Sequence, residues 1–413
     1  MASSTRSWGT QKTVSGSATL TRSAERTTDA RVRLRNSAMC GHPVIAVGRM
    51  ADSSAIRAIG ARLQAYRSHS MTLYVGLDVS QKTAAICVVD HGGQRIWRGE
   101  CRTLPDEIAA VILRHAGDSA QIGIETGSMT PWLVHELRRR TLSVVCIDAR
   151  HARAALKMQI NKTDRNDAEG LAQIMRTGWY RAVHVKSFEA HRARALLAAR
   201  LQLIETTTRL SNHIRGVLKT FGLLPGTVRG LRFDARVELL LEGREELALI
   251  VTPLLVAWRQ LREQIAVFDK SILALVRTSP VCRLLMSVPG IGVLSVLAYV
   301  STIEDPARFS SSRSVGAHLG LTPRQYQSGE VDRSGRISRC GDSLARTLMY
   351  EAAVVILTRI KRELPLKSWA LAIARKCGNG KARVALARKL SVILHAVWRS
   401  GEPFRAASTQ AAA

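Results

Sequence analysis

No apolar run of 18 or more residues occurs in the sequence, which argues against a transmembrane helix. The seven cysteines (Cys40, Cys87, Cys101, Cys146, Cys282, Cys340 and Cys377) are odd in number, widely spaced, and include no C-x-x-C pair. That pattern leaves no basis for a disulfide framework or a cysteine zinc site, and a reducing cytosol is the expected compartment. None of the eleven histidines falls at H-E-x-x-H or other ligand spacing, so they read as surface or packing residues. Acidic residues are scarce: 32 Asp and Glu against 61 Lys and Arg leave a net charge of +29. The hydrophobic fraction of 46% is that of an ordinary globular chain, so the basic excess belongs to a folded protein. Its partner should be a polyanion, with nucleic acid ahead of a membrane surface or an acidic protein.

Because acids are few, their positions carry information. In NKTDRNDAEGLA, residues 161 to 172, Asp164 and Asp167 stand three apart and run into an apolar helical pattern. Side chains at i and i+3 of a helix share a face, with Cβ atoms roughly 5 to 6 Å apart, so both carboxylates would point the same way. Helix capping is the plain alternative, because Asp at a helix start accepts backbone N–H bonds and faces the positive end of the macrodipole. Two further acids occupy costly places. Asp78 lies in YVGLDVS, inside an otherwise apolar strand, and Glu125 in IGIETGS, at the end of a buried one. A charge there is expensive unless it is paired or bound to metal.

The 413 residues suffice for two or three domains. Residues 1 to 70 carry eleven Lys and Arg against three acids, with no sustained period of 2 or 3.6. A mitochondrial-type presequence shares that composition; disorder, or a true start at Met71, is the expectation. From Met71, MTLYVGLDVSQKTAAICVVD reads as two strands around a Ser-Gln-Lys turn, and QRIWRGECRTL as a third. DEIAAVILRHAG follows as a helix, QIGIETG as a strand, PWLVHELRRR as a helix opened by Pro131, and LSVVCID as a fifth strand. Three strands and then alternating helix and strand is the order of a ribonuclease H-like α/β domain, in which the first and fourth strand ends are neighbours. With the helix bearing Asp164 and Asp167, four acids would surround one point. Four carboxylates without His or Cys suit Mg²⁺ or Mn²⁺, and two such ions can stabilise the attacking and leaving oxygens of phosphoryl transfer.

Residues 188 to 280 read as long helices. Leu254, Trp258, Leu261, Ile265, Phe268, Ile272 and Leu275 alternate spacings of four and three, a coiled-coil seam opened by Pro253. A pair of helices between protomers is expected, with a helix buried in its own chain as the alternative. Residues 281 to 405 open with LLMSVPGIGVLSVLAYVSTI, where a turn holding Gly290 and Gly292 joins two helices and offers backbone N–H groups to a phosphate. The same turn is also a plain helix connector. From Arg324 to Arg405 there are 17 Lys and Arg against six acids. The loop-like PRQYQSGEVDRSGRISRC offers Ser328, Ser334 and Ser338 among Arg324, Arg333, Arg336 and Arg339. These are turn residues and DNA-backbone contacts, or a nucleophile with phosphate-holding guanidiniums.

The ordered set YVGLDVSQKT, GIETGS, NKTDRNDAEGLA, LLMSVPGIG and AHLGLTPRQYQSGEVDRSGRISRCGD resembles the DEDD transposases of insertion-sequence family one hundred and ten, relatives of the Piv-type DNA invertases. The resemblance spans residues 71 to 405. It implies a RuvC-like domain over 71–187 whose four acids are Asp78, Glu125, Asp164 and Asp167, binding Mg²⁺ or Mn²⁺. It also implies a coiled-coil insertion over 188–280 that pairs subunits into a homodimer or homotetramer. A mainly α-helical C-terminal domain over 281–405 would carry the serine nucleophile, and the resemblance selects Ser328; residues 406–413 would be a disordered tail. The implied activity is excision and integration of an element by DNA strand exchange in a bacterial cytoplasm, on the nucleoid, guided by a structured bridge RNA. A RuvC-like two-metal nuclease or junction resolvase is the enzymatic alternative. A basic nucleic-acid scaffold is the non-catalytic one.

Overall fold

The computed structural model describes residues 72–157, 161–228 and 230–405; the expected extension over 1–70 and the tail over 406–413 lie outside the described residues. Five strands form one sheet: β1 (Tyr74–Val79), β2 (Thr83–Val89), β3 (Arg95–Arg102), β4 (Gln121–Glu125) and β5 (Ser143–Ile147). Their order is β3-β2-β1-β4-β5. β1 to β3 form an antiparallel meander, and β4 and β5 add in parallel beside β1. Parallel neighbours need crossovers, and the helices α1 (Pro105–Ala116) and α2 (Thr130–Arg139) supply them. α3 (Ala149–Leu156) and α4 (Asp164–Thr177) follow β5.

Period-2 alternation divides the sheet residues between two covers. Val75, Leu77, Ile122 and Ile124 face one way, into a core with Ile108 and Ile112 of α1 and Leu133 and Leu137 of α2. The opposite face meets α4, whose Ala168, Leu171, Ala172 and Met175 are buried against it. α4 comes unusually close because Gly76 and Gly123 are paired neighbours in β1 and β4. A Cβ on Gly76 would stand 2.0 Å from the Ala168 carbonyl oxygen, and one on Gly123 2.3 Å from Met175 Cγ. Surface ion pairs of Glu169 with Arg95 and Arg98, and of Arg165 with Glu100, also tie α4 to β3.

The middle region is a helical hairpin of α5 (Phe188–Thr220) and α7 (Glu245–Thr278), with α6 (Leu231–Leu241) at its tip. Leu197 shares a core with Ile272 and Val276, while Ile214 and Leu218 share another with Val251, Leu255 and Trp258. Those pairings make α5 and α7 antiparallel within one chain. The seam residues at either end, Leu254 with Trp258 and Ile272 with Leu275, are thus used inside the chain. Leu261, Ile265 and Phe268 between them are half-buried and belong to neither core. Pro253 does not open the helix, which begins eight residues earlier at Glu245 and carries the proline inside; the helix tolerates the missing donor there.

The last region packs α8 (Pro280–Leu285), α9 (Val293–Ile303), α10 (Ser312–His318), α11 (Ser343–Thr358), α12 (Pro365–Cys377) and α13 (Asn379–Ser400) around one core. Between α10 and α11 the stretch read as a loop is a hairpin of β6 (Pro323–Ser328) and β7 (Val331–Ile337). No helix among the described residues is long and apolar enough to cross a membrane.

Candidate active site

Asp78 and Glu125 reach the same place for the same local reason. Each lies two residues after a strand glycine, in Gly76-Leu77-Asp78 and Gly123-Ile124-Glu125. Period 2 therefore aims each carboxylate to the face that α4 covers. Leu77 pairs with Ile124 across the parallel strands, so the acids that follow stand side by side at the sheet's carboxyl edge. α4 touches Gly76 through Ala168, which places Asp164 and Asp167, in the turn just before, above that edge. Neither is the N-cap, although both lie in the first turn, at the positive end of the macrodipole. The helix is capped by Thr163, whose hydroxyl accepts from the Asn166 N–H at 3.2 Å.

The field at this edge records the convergence. Burial pushes the Asp78 carboxyl up to about 6, and Asp164 and Asp167 push it the same way, against a smaller downward pull from Lys162. Glu125 is also raised, by burial first and then by Asp78 and Asp167, again opposed by Lys162. Among the described residues no group of three or more Asp, Glu, His or Cys side chains is arranged to hold a metal ion. The four acids share an edge, with Asp78 in the field of Asp164 and Asp167 and Glu125 in that of Asp78 and Asp167, without closing into a cage. Their chemistry, oxygen donors only and a surplus of negative charge, fits a hard divalent cation.

Beside this edge, Asp148 ends β5 and caps α3, accepting from the Arg150 N–H at 2.9 Å and from the Arg150 guanidinium. Arg150 also donates to Cys340 Sγ at 3.3 Å, at the foot of the β6–β7 hairpin. Ser328 ends β6 opposite Val331, across a two-residue turn of Gly329 and Glu330. Gly329 has φ 54, the conformation such a turn requires, and open space around it. At about 3.4 Å per residue the tip stands about 17 Å from Pro323. Both strands are exposed. Among the described residues no hydrogen bond or ion pair joins Ser328 to the four acids.

Of the other serines, Ser334 pairs with Gln325 in the ladder, and Ser338 accepts from the Cys340 N–H at 3.4 Å. Arg333 lies 5.8 Å from the Tyr326 ring centroid, and Arg324 donates to the Ser338 carbonyl at 3.2 Å. Arg336 extends along β7, and Arg339 follows it with φ 54. Gly290, at φ 81, is required by packing, since a Cβ would meet Ile356 Cγ1 at 2.7 Å. Gly292 starts α9 in open space with no side-chain cap, leaving that helix end exposed. Sequence reasoning missed Lys162, the Arg150 to Cys340 link and the strand glycines. The repeated Gly-x-acid spacing was a signal for the last.

Two family models match separate parts of the chain. A model of DEDD transposases of IS110 type matches residues 75–222, and the model described as transposase IS116/IS110/IS902 family matches residues 282–367. The transposase for insertion sequence element IS1111A of Coxiella burnetii is 27% identical over 338 residues, 80% of this chain and 91% of the relative. A probable family 20 transposase of Pseudomonas aeruginosa is 32% identical over 57% of this chain and 72% of its own length. The pilin gene-inverting protein of Moraxella lacunata is 28% identical over 35% of this chain and 47% of its own. The four acids lie within the first match and the β6–β7 hairpin within the second, and the chain belongs to the DNA transposases of the IS116/IS110/IS902 family.

Proposed function

We propose that this transposase excises and integrates an insertion-sequence element by DNA strand exchange, with Asp78, Glu125, Asp164 and Asp167 as one half of the site and Ser328 as the other. The observation that carries the reading is the meeting of Asp78 and Glu125 at adjacent strand ends beneath the helix turn that bears Asp164 and Asp167. The four carboxylates would hold Mg²⁺ or Mn²⁺, which when bound supplies Lewis-acid stabilisation of phosphate oxygens. Ser328 Oγ attacks a backbone phosphorus, forming an Oγ–P bond. One ester P–O bond breaks, its oxygen leaving with the electron pair, and the serine proton is released to a base or water. The reversed step, with a hydroxyl of the new strand attacking the same phosphorus, restores Ser328 and joins the exchanged strand.

Arg324, Arg333, Arg336 and Arg339 surround the serine strand and neutralise phosphates. Gly292, with Gly290 shaping its turn, offers the α9 N-terminus to another phosphate. A structured bridge RNA supplies target choice by pairing, which accords with a chain of +29 charge. The RuvC-like region spans 71–187, the helical pairing region 188–280 and the serine region 281–405. The half-buried middle of the 254–275 seam pairs protomers into a homodimer or homotetramer, acting in the bacterial cytoplasm on the nucleoid.

The absence, among the described residues, of any bond between Ser328 and the acids favours one second reading, a two-metal nuclease or junction resolvase acting by hydrolysis. A denaturing gel separates the two. Incubation with element-end DNA should leave DNA covalently linked to protein in the wild type and in Ser334→Ala and Ser338→Ala, and none in Ser328→Ala. Free cut strands without an adduct would establish the hydrolytic reading instead.

A further inference from the structure

A groove of about 1430 Å³ runs between the foot of the hairpin and one face of α13. Its floor is apolar, built from Leu321, Ile337, Val384, Val392 and Ala396, and Trp369 of α12 forms part of the wall with 37% of its surface exposed. Its rim is cationic. Arg336, Arg339, Lys381, Arg388 and Lys389 line it against a single carboxylate, Glu402, and none of these five makes an ion pair among the described residues. Lys389 Nζ stands 4.4 Å from the Trp369 ring centroid, so an aromatic face and a cation are presented together. Gly316 of α10 gives room for this arrangement, because a Cβ there would come within 2.9 Å of Arg388 Cγ.

The candidates to cover this surface differ in charge. Residues 406–413, AASTQAAA, hold no acid and no large apolar side chain. Residues 1–70 are strongly basic, and a second copy brings a net charge of +29. All three fail to complement five unpaired cations. A polyanion does complement them, and among polyanions the floor discriminates. A duplex turns phosphates outward and keeps base faces stacked inside, so it gains nothing from an apolar floor. An unpaired strand exposes both, phosphates for the rim and base faces for Trp369 and the aliphatic side chains.

We propose that this groove holds a single strand of unpaired DNA, its bases against Trp369 and the aliphatic floor and its phosphates on Arg336, Lys381, Arg388 and Lys389. The inference rests on the strand-exchange reading, since exchange requires duplex strands to separate before they change partners. The groove gives one separated strand a place to stay beside the serine hairpin.

Fluorescence anisotropy of the full chain with labelled oligo(dT) and with a blunt duplex of equal length tests this. Trp369→Ala should weaken oligo(dT) binding about 5- to 150-fold, the worth of one stacked base, while duplex affinity stays within about twofold. Trp369→Phe should restore most of the loss. Lys381→Ala with Lys389→Ala should reduce the slope of log affinity against log salt by about 1.4 for the single strand, 0.7 for each phosphate contact. Photocrosslinking of a bromodeoxyuridine oligomer should map to the Trp369 peptide. Equal weakening of both DNA forms, or of neither, in a variant with intact circular dichroism overturns the proposal. So does oligo(rU) binding more than about tenfold tighter with the same dependence on Trp369, or a fall in oligomer mass in Trp369→Ala. Scoring the Ser328 adduct in the same preparations separates the failures. An adduct with no Trp369 effect sinks the groove alone, whereas no adduct and no DNA binding sinks the strand-exchange reading.

Discussion

The acid-bearing sheet and the serine-bearing hairpin hold the two halves of the proposed chemistry under opposite kinds of support. The sheet is covered on one face by α1 and α2 and on the other by α4, and its central residues Val75, Leu77, Ile122 and Ile124 are buried. The hairpin is exposed along both strands, down to Tyr326 at 50% and Val331 at 58%. A lone two-stranded ribbon is marginal in water. This one is held at its root, where Ser338 donates to the Thr322 carbonyl at 2.8 Å and Arg339 to the Gly320 carbonyl at 3.1 Å. Gly320 and Gly341 bring the root close to its neighbours, since a Cβ on either would stand 2.2 Å or less from a backbone oxygen. The carboxylates are therefore placed by packing that exists before any substrate binds, while the serine rides on an arm fixed only at its base.

That contrast is broken most forcefully by activity. Asp167→Asn or Asp78→Asn should reduce strand exchange by about 10³-fold or more, equivalent to several kcal/mol of transition-state charge stabilisation. Melting temperature should stay level or rise in both, because each change removes carboxylate repulsion. Ser328→Ala should abolish exchange as completely, also without a change in melting temperature, because its side chain is exposed. Exchange at the wild-type rate in Asp167→Asn would show that the edge has been misassigned.

The next largest effect is on stability, and it should differ between the regions for chemically identical changes. Gly76→Ala pushes a methyl to 2.0 Å from Ala168 O and 2.4 Å from Ala172 N, both backbone atoms of α4. Helix and sheet must part, at a cost of about 3 kcal/mol, and the acids of α4 move with the helix. Gly335→Ala on β7 meets only the edge of the Tyr326 ring, at 2.7 Å, and that exposed side chain can swing away. It should cost less than about 1 kcal/mol. Denaturant unfolding of the two variants measures the gap, and equal losses would mean that the hairpin is packed as tightly as the sheet.

How much of this was legible beforehand follows the same division. The sheet announced itself, because its strands alternate or run apolar between turn residues, and all five appear where the pattern placed them. Asp78 and Glu125 were readable as acids at costly positions, and Asp164 and Asp167 as a pair on one face. What patterning could not give was the approach of α4. It depends on two glycines, 47 residues apart, meeting as neighbours in a parallel pair. The hairpin was hidden for a different reason. PRQYQSGEVDRSGRI has no buried face, so it lacks the apolar alternation by which a strand is recognised. The coiled-coil seam was visible as a period, but a period does not say whether the facing helix belongs to the same chain.

The seam sharpens the comparison because it mixes both kinds of support in one helix. Trp258 and Ile272 are buried inside the chain, at 3% and 0% exposure, whereas Ile265 between them is half-buried. Ile265→Asp should cost the isolated subunit only about 1–2 kcal/mol, since the new carboxylate keeps access to water. If the middle of the seam pairs protomers, the same change lowers the oligomer mass measured by light scattering. Unchanged mass alongside a small fall in melting temperature would confine the seam to its own chain.

The smallest expected effect is a pH slope, and it reports the burial and crowding of Asp78 at the acid edge. The Asp78 carboxyl is raised from its ordinary 3.8 to about 6, by burial and then by Asp164 and Asp167. A carboxyl raised by folding favours the folded state most when protonated, so this contribution is complete below pH 4 and is lost as pH climbs through 6. Glu304 works in the opposite sense and in another window. Burial pushes it up, but hydrogen bonds from Ser187 and His184 outweigh burial and hold it at about 2. Its contribution is present above 4.5 and disappears as pH falls towards 2. His318, pushed down to about 4 by burial, titrates in the same interval as Asp78 with the opposite sign. The difference between wild type and an Asp78 variant, in which the histidines cancel, is therefore what isolates the acid edge. In metal-free buffer, wild type and Asp78→Asn should melt together at pH 4, and the variant should melt about 1–2 °C higher at pH 7.5. That interval corresponds to roughly 1 kcal/mol for a chain of this size, the shift being discounted for a half-exposed group. Mg²⁺ should narrow the gap by stabilising only the wild type. A melting difference that stays flat from pH 4 to 8 would mean that neither burial nor the neighbouring acids raise Asp78, and the case for a preformed edge would fall with it.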